Sequence, residues 1–174
     1  MGPLDGPAPL EFDCGAAEQN EFLHERAWRD ARRGITVTHM LYARGIAVAF
    51  VTLMADRIVL GPRERALGVT YSIVPAVKIA QLGVDRRFSL RGLGRLLVAF
   101  AVRTALLIRS RVGCRYVTLD ARTERLVAWY ESQGFVRNRA EQKARVREAE
   151  QRGRAPDTVA VSMRFDLRES AQAA

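Results

Sequence analysis

The 174-residue sequence predicts an α+β fold: a mixed, mostly antiparallel sheet of six or seven strands with helices on both faces. Three observations carry that prediction. Residues 36–42 and 46–53 are β-type runs flanking the turn Ala43-Arg44-Gly45, the pattern of an antiparallel hairpin. Residues 93–108 place Leu93, Leu96, Leu97, Phe100, Ala101, Thr104, Leu107 and Ile108 on one stripe of a helix. Residues 158–167 alternate as Val159, Val161, Met163, Phe165 and Leu167, a half-buried strand.

The remaining elements follow in order. Residues 1–10 are rich in Gly and Pro and read as a flexible end. Residues 16–33 alternate apolar Phe22, Leu23 and Ala27 with Glu18, Glu21, Glu25 and Arg29 at helical spacing, and Gly34 terminates that helix. A short strand at 58–60 follows the hairpin, and Gly61-Pro62 opens a loop or short helix over 61–70. A strand at 77–84 leads into the charged turn Asp85-Arg86-Arg87 and then, after Gly92 and Gly94, into the long helix. Residues 116–120 read as a buried strand, 123–132 as a helix ended by Gly134, and 135–136 as the start of another strand. Residues 138–153 are almost wholly polar, which fits an exposed helix or a mobile excursion. There is no internal repeat, so the expectation is one domain over 11–168 between flexible ends at 1–10 and 169–174.

Composition narrows the class. At 48% hydrophobic and 27% charged residues the chain is ordinary globular material. No apolar run reaches the ~18 residues of a membrane span, because Arg95 and Arg103 interrupt the most hydrophobic stretch. The beginning of the sequence lacks the basic flank and apolar core of a secretory signal. Two distant cysteines, Cys14 and Cys114, give no disulfide framework, so a cytoplasmic protein is expected. Two histidines, His24 and His39, give no metal-ligand spacing with them, and no metal is expected.

Charge is unevenly spread. Residues 1–30 hold seven acids and two bases, a balance of −5, whereas residues 31–174 hold 26 bases and 12 acids, a balance of +14. Only Lys78 and Lys143 are lysines, so the excess is guanidinium, which suits bidentate phosphate contacts. This fits a polyanionic partner, a phosphorylated cofactor or a nucleic acid, and equally an arginine-rich composition on solvated faces.

The segment 77–95 is strand, glycine-containing turn, helix. Such a turn aims several backbone N–H groups into one concavity at a helix N-terminus, where phosphate oxygens meet unpaired donors and the macrodipole. Arg86, Arg87, Arg91 and Arg95 add charge. No Gly-Lys-Ser/Thr follows, which excludes the P-loop, and Leu97 occupies the third-glycine position of the dinucleotide fingerprint.

The run Leu82-Gly83-Val84-Asp85-Arg86-Arg87-Phe88-Ser89-Leu90-Arg91-Gly92-Leu93-Gly94-Arg95-Leu96-Leu97 resembles motif A of the GCN5-related N-acetyltransferase (GNAT) superfamily. Gly92 and Gly94 match the motif's glycines, and Ser89 stands where it has Gln or Arg. Ala128-Trp129-Tyr130-Glu131-Ser132-Gln133-Gly134-Phe135 is similar to the superfamily's Tyr-Glu-x-x-Gly-Phe ending. Phe12-Asp13-Cys14-Gly15, Asn20-Glu21-Phe22-Leu23 and Ala49-Phe50-Val51-Thr52-Leu53 resemble the branch that contains toxins acetylating aminoacyl-tRNA. Gln81 and Gly83 depart from the Arg-Leu-Ala-Val run common in that branch.

The resemblance implies a GNAT fold whose fourth and fifth strands splay to admit the pantetheine of acetyl-CoA. Backbone groups of Leu82, Gly83 and Val84 would lie against that arm. The amides of Ser89, Leu90, Arg91, Gly92, Leu93, Gly94 and Arg95 would hold the pyrophosphate. Thr123 would touch the pantetheine in place of a common Asn, and Tyr130 would protonate the departing thiolate. The implied reaction is direct acetyl transfer from acetyl-CoA to a primary amine. The acceptor is open between an aminoacyl-tRNA, a protein amine and a small amine, and a second copy of the chain is a candidate partner. A non-catalytic GNAT-like module holding RNA or protein is the reading from another class.

For a base, the residues offer Glu124, Asp120, or Gln81 with a water, and a weakly basic aminoacyl-ester amine would dispense with a strong one. No Gly-x-Ser-x-Gly occurs, so a serine nucleophile has no support. Trp28, Trp129, His24 and His39 fit packing roles, and Cys114 fits a small apolar residue in a buried strand.

Overall fold

A computed structural model describes residues 1–65 and 70–170. Its seven strands are β1 (Gly2–Pro3), β2 (Val37–Ala43), β3 (Ile46–Val59), β4 (Ile73–Val84), β5 (Tyr116–Ala121), β6 (Val136–Arg137) and β7 (Val161–Asp166). They follow the order β1-β2-β3-β4-β5-β7-β6 in one sheet. Helices are α1 (Ala17–Glu21), α2 (Ala27–Arg32), α3 (Leu93–Arg109), α4 (Glu124–Glu131), α5 (Arg139–Gln151) and α6 (Leu167–Ser170). The chain forms two units, Met1–Ala55 with Ile79–Thr104, and Asp56–Lys78 with Ala105–Ala174. Sequence gives no sign of this division, because the chain passes from one unit to the other inside β3, β4 and α3 rather than through linkers.

In the first unit, β2 and β3 form the expected hairpin, with Ala43 opposite Ile46. Arg44 and Gly45 both have positive φ, 50° and 80°, the two-residue turn whose twist matches the strands. α1 and α2 are joined by a π-type turn at Phe22–Arg26, so the helix expected over 16–33 carries a widened turn in its middle. That turn brings Phe22, Leu23 and Ala27 to the buried side together. They pack with Phe12, Met40 and Phe50, and the Phe12 and Phe50 rings meet edge to face at 5.5 Å. His39 packs its ring on Phe100 at 4.8 Å, and burial lowers its pKa. Gly2 and Pro3, expected in a flexible end, pair with Met40 and His39, and Leu4 and Ala8 are buried. Gly/Pro content signals turns but not what the intervening apolar side chains cover.

In the second unit, β7 lies between β5 and β6, antiparallel to both. It is not half-buried in the expected sense: Ser162, Arg164 and Asp166 on the nominally polar face are buried along with Met163, whereas Val161 and Phe165 on the apolar face are only half-buried. Each polar group is satisfied. Asn138 Nδ2 donates to Ser162 Oγ at 2.9 Å, Arg164 donates to Glu64 and Asn138, and Arg115 forms a two-pronged pair with Asp166 at 2.7 and 2.8 Å. Alternation in sequence reads such a polar face as solvent-facing because the partners come from distant segments.

The strands expected at 46–53 and 58–60 are one strand, β3, since Asp56 is accommodated by accepting a 2.6 Å bond from the Thr118 hydroxyl. β4 begins at Ile73, four residues earlier than expected, and Pro75 sits in it exposed, its carbonyl accepting from Arg115 N–H. In α3, Leu97, Val98, Ala101 and Ala105 are buried while Leu96, Leu107 and Ile108 are exposed, a narrower stripe than the sequence suggests. The loop expected over 61–70 is described only for 61–65 and 70; residues 66–69, and 171–174 of the expected flexible C-terminus, lie outside the described residues. α6 reaches Ser170.

The polar stretch 138–153 is the helix α5, and its first turn has an unusual cap. Asn138 makes no side-chain capping bond. The Glu64 carboxylate takes that place, accepting from the amides of Arg139 at 3.0 Å, Ala140 at 3.4 Å and Gly61 at 2.9 Å, and from Arg164 at 2.9 Å. An anion at a helix N-terminus also meets the macrodipole favourably. Burial raises the Glu64 pKa, but the Gly61 amide, the Arg164 charge and the α5 amides lower it more, so the net shift is downward. Glu64→Ala should cost about 2–3 kcal/mol, a fall of roughly 5–10 °C in Tm for a chain of this size. A lowered carboxyl pKa contributes stability above the unfolded value, near 4.5, that is lost as pH falls through the folded value. Glu64→Gln should accordingly flatten the acid limb of the stability–pH curve below that pH, read by thermal melts.

Candidate functional site

The first unit carries the residues expected to hold acetyl-CoA's phosphates. β4 ends at Val84, a 3-10 turn spans Arg86–Phe88, and α3 starts at Leu93. Between them Leu90 has φ 62° and Gly92 φ 77°, two left-handed residues around Arg91. Left-handed residues alternating with ordinary ones turn successive N–H groups into one concavity, an anion-binding nest. For Leu90, a non-glycine, this conformation costs about 1–2 kcal/mol. Leu90 is fully exposed, so side-chain burial does not compensate that strain. Strain of this kind collects at ligand sites. Leu93, Gly94 and Arg95 follow as the first turn of α3, where helix geometry leaves N–H groups without intrahelical partners. Ser89 is exposed in extended backbone, and its amide, expected among the cradle donors, instead donates to the Arg86 carbonyl at 3.3 Å and closes the 3-10 turn.

Asp85 anchors this loop. It is 1% exposed and accepts from the Arg87 amide (2.9 Å), Arg87 Nε and Nη2 (2.8 Å each) and the Asp13 amide (3.3 Å). The Arg87 side chain, opposed by burial and aided by the Arg87 and Asp13 amides, lowers its pKa to about 2. Asp13 in turn pairs with Arg86, and its carboxylate accepts from Gly15 N–H and Asn20 Nδ2 at 2.7 Å each. Arg86 N–H donates to the Asp13 carbonyl at 2.9 Å. Two of the four arginines expected to add charge near phosphate are thus committed to carboxylates. Arg91, over the Phe88 ring at 5.6 Å, and exposed Arg95 are the cations left.

Asp13, Asn20 and Asp85 have no role in the sequence reading, although Asp13 and Asn20 fall in the quoted N-terminal segments. The signal is faint because the paired positions lie 72 residues apart. Asp85→Asn should cost about 2 kcal/mol. The wild-type contribution should be lost between pH 3.8 and about 2, since the folded pKa is the lower one; acid melts of the two proteins check this.

Gly83 is buried, and a Cβ there would stand 2.5 Å from Phe50 Cε1 and 3.3 Å from Cys14 Cβ. The departure from alanine at 83 therefore makes room for the Phe50 ring. Leu82 and Val84 on either side are half-buried.

The second unit carries Tyr130 and Thr123. Thr123 is the N-cap of α4, its Oγ1 accepting from Leu126 N–H at 3.2 Å, a bond that leaves the hydroxyl proton unused. Tyr130 lies in α4, 8% exposed, with Trp129 and Phe135 rings at 4.8 and 5.6 Å. Gly134, at φ 88°, ends the helix and turns Phe135 back onto Tyr130. Burial pushes the Tyr130 phenol up to about 12, so it holds its proton at every physiological pH. The candidate bases fare differently. Asp120 is held between Lys78 at 2.6 Å and Arg145, and Glu124 pairs with Arg137 at 2.9 Å. Both carboxylates are thus engaged by cations of the protein rather than presented to an incoming amine. Gln81, half-buried on β4, carries no charge.

Among the described residues no group of three metal-binding side chains occurs, and no helix is long and apolar enough to cross a membrane.

The sequence matches no family model. Solved structures do match. A bacterial toxin superposes with a TM-score of 0.77 at 21% identity, over 98% of this chain and 89% of its own. The toxin AtaT, complexed with acetyl-methionyl-tRNAfMet, gives 0.77 at 20% identity over 97% and 94%. A Tyr-to-Phe mutant of AtaT bound to the C-terminus of the antitoxin AtaR and acetyl-CoA gives 0.71 at 23% over 96% and 92%. At such identities the likeness is one of fold.

Proposed function

The chain has the GNAT fold, and on that premise we propose that it is an acetyl-CoA-dependent N-acetyltransferase whose acceptor is the amino group of an aminoacyl-tRNA. The observation that supports the reading is the strained nest at Leu90–Gly92 opening onto the α3 N-terminus, which would cradle a pyrophosphate, in a fold shared with the toxin AtaT complexed with acetyl-methionyl-tRNAfMet.

Acetyl-CoA supplies an activated acyl group on a thiol leaving group. The cradle amides, with Arg91 and Arg95, would hold its pyrophosphate, and β4 backbone N–H groups would stabilise the carbonyl oxygen as charge develops. The acceptor nitrogen forms a bond to the carbonyl carbon, the C–S bond breaks, and the Tyr130 hydroxyl gives its proton to the sulfur. The proton shed by the amine goes to solvent, from which Tyr130 is reprotonated. Asp120 and Glu124, both ion-paired, have no part in this scheme. An aminoacyl-ester amine, less basic than lysine, has a usable free-base fraction without them. A net charge of +14 over residues 31–174 fits an RNA-borne acceptor.

The test incubates the pure protein with labelled acetyl-CoA and total charged tRNA, then digests with nuclease. Acetyl-aminoacyl-adenosine is the expected product. Efficient labelling of peptides or small amines with none on tRNA would overturn the acceptor assignment, and acetyl-CoA binding without transfer to any amine would overturn the enzyme.

A further inference from the structure

Helix α5, with its C-cap residue Arg152, carries two kinds of basic residue. Arg145 and Arg152 are each paired with the acid four residues earlier, Glu141 at 3.2 Å and Glu148 at 2.8 Å. Arg139, Lys143 and Arg147 form a different row, at i, i+4 and i+8, all exposed, and no carboxylate among the described residues pairs with their side chains. This row borders a cleft of about 640 Å³ whose lining includes Val146 and Val161. Arg137 and Glu150 also line it, and Arg137 is already held by Glu131 and Glu124.

The helix is fixed from its other sides. Glu64 caps its first turn, Arg145 reaches Asp120, and Gln142 Oε1 accepts from Ser162 N–H at 2.9 Å. The unpaired row therefore stands on a helix whose backbone is fixed in place. Its cations repeat about every 6 Å along the axis, on the scale of successive phosphates in a nucleic-acid strand. Apolar side chains lie beside it where a ribose or base could rest.

We infer that the Arg139–Lys143–Arg147 ridge of α5 and its adjoining cleft form a docking site for an RNA backbone. The inference rests on the proposed tRNA-borne acceptor and assigns part of its binding to residues outside the cradle and Tyr130. Three cations held out in a row, on a helix that satisfies its other arginines with its own acids, present charge complementary to a polyanion. Docking there would be sequence-independent, holding the body of the RNA rather than reading bases.

The test compares wild type with the triple variant Arg139→Gln/Lys143→Gln/Arg147→Gln, and with Arg32→Gln/Arg33→Gln/Arg111→Gln, which removes equal charge from exposed positions elsewhere. Glutamine preserves helix propensity, and circular dichroism together with the acetyl-CoA-induced thermal shift reports folding. Binding of uncharged total tRNA is measured from 50 to 200 mM salt. Wild type should weaken steeply, and the α5 variant should lose roughly 2–3 units of log–log slope, about a 30-fold smaller change across that range. The control variant should change much less.

Equal losses in both variants, an unaltered α5 variant, or no tRNA binding by wild type would each overturn the ridge. So would capture of polyglutamate, lost in the α5 variant, by a protein that ignores tRNA: the site would then take an acidic polypeptide. Acetyl transfer to charged tRNA is followed in parallel. Transfer that survives with the ridge removed and binding unchanged sinks the ridge alone, whereas ridge-dependent binding without transfer sinks the acceptor alone.

Discussion

Asp in place of Gly92 should abolish stabilisation of the protein by acetyl-CoA. Wild type should gain about 2.7 kcal/mol at a hundredfold excess of ligand over Kd, visible as a rise in Tm. The variant should gain nothing. Gly92 has φ 77°, a conformation L residues rarely adopt, and it lies in the nest where phosphate would bind. A carboxylate there sets a negative charge against the ligand's own. A Cβ at 92 meets nothing within 4 Å, so the variant should fold, and Gly92→Ala separates the two causes. Alanine carries the backbone strain without the charge and should retain part of the shift. Normal acetyl-CoA binding by the Asp variant would show that the cradle has been assigned to the wrong loop.

The second large effect belongs to Tyr130. Tyr130→Phe should lower acetyl transfer by roughly 10²-fold or more while leaving acetyl-CoA binding and the melting curve nearly unchanged. The ring keeps its contacts with Trp129 and Phe135, and only the hydroxyl is lost. The pH profile gives an independent reading. Because burial holds the phenol near 12, activity should not decline through loss of this proton between pH 7 and 10. An alkaline limb with a midpoint near 10 that vanishes in Tyr130→Phe would contradict the raised pKa, and unchanged turnover in the variant would reduce Tyr130 to packing.

Most of the architecture was legible because it rests on local pattern. The hairpin was marked by Arg44-Gly45, α3 by its apolar stripe, and the end of α4 by Gly134-Phe135. What escaped was polar and distant. Glu64 caps α5 from 75 residues away, and Asp85 ties to Asp13 across 72. Neither pairing leaves a periodic trace, since a buried carboxylate and an exposed one are the same letter. The polar face of β7 was misread for the same reason. At the candidate site the glycines and Tyr130 stood out by motif. The nest geometry at Leu90 and the diversion of Arg86 and Arg87 into ion pairs are three-dimensional facts that spacing does not encode.

The placement of β7 also bears on when the chain can fold during synthesis. Neither unit is continuous: the first needs residues up to 104, and the second needs β7 between β5 and β6. While residues 161–166 are still inside the ribosome, β6 has no partner, Asp166 is missing from Arg115, and Arg164 is missing from Glu64. Non-local pairings of this kind form late. The unit bearing Tyr130 can therefore reach its final packing only after residues 161–166 have emerged, so a chain stalled before residue 161 would carry the cradle sequence but no completed second unit.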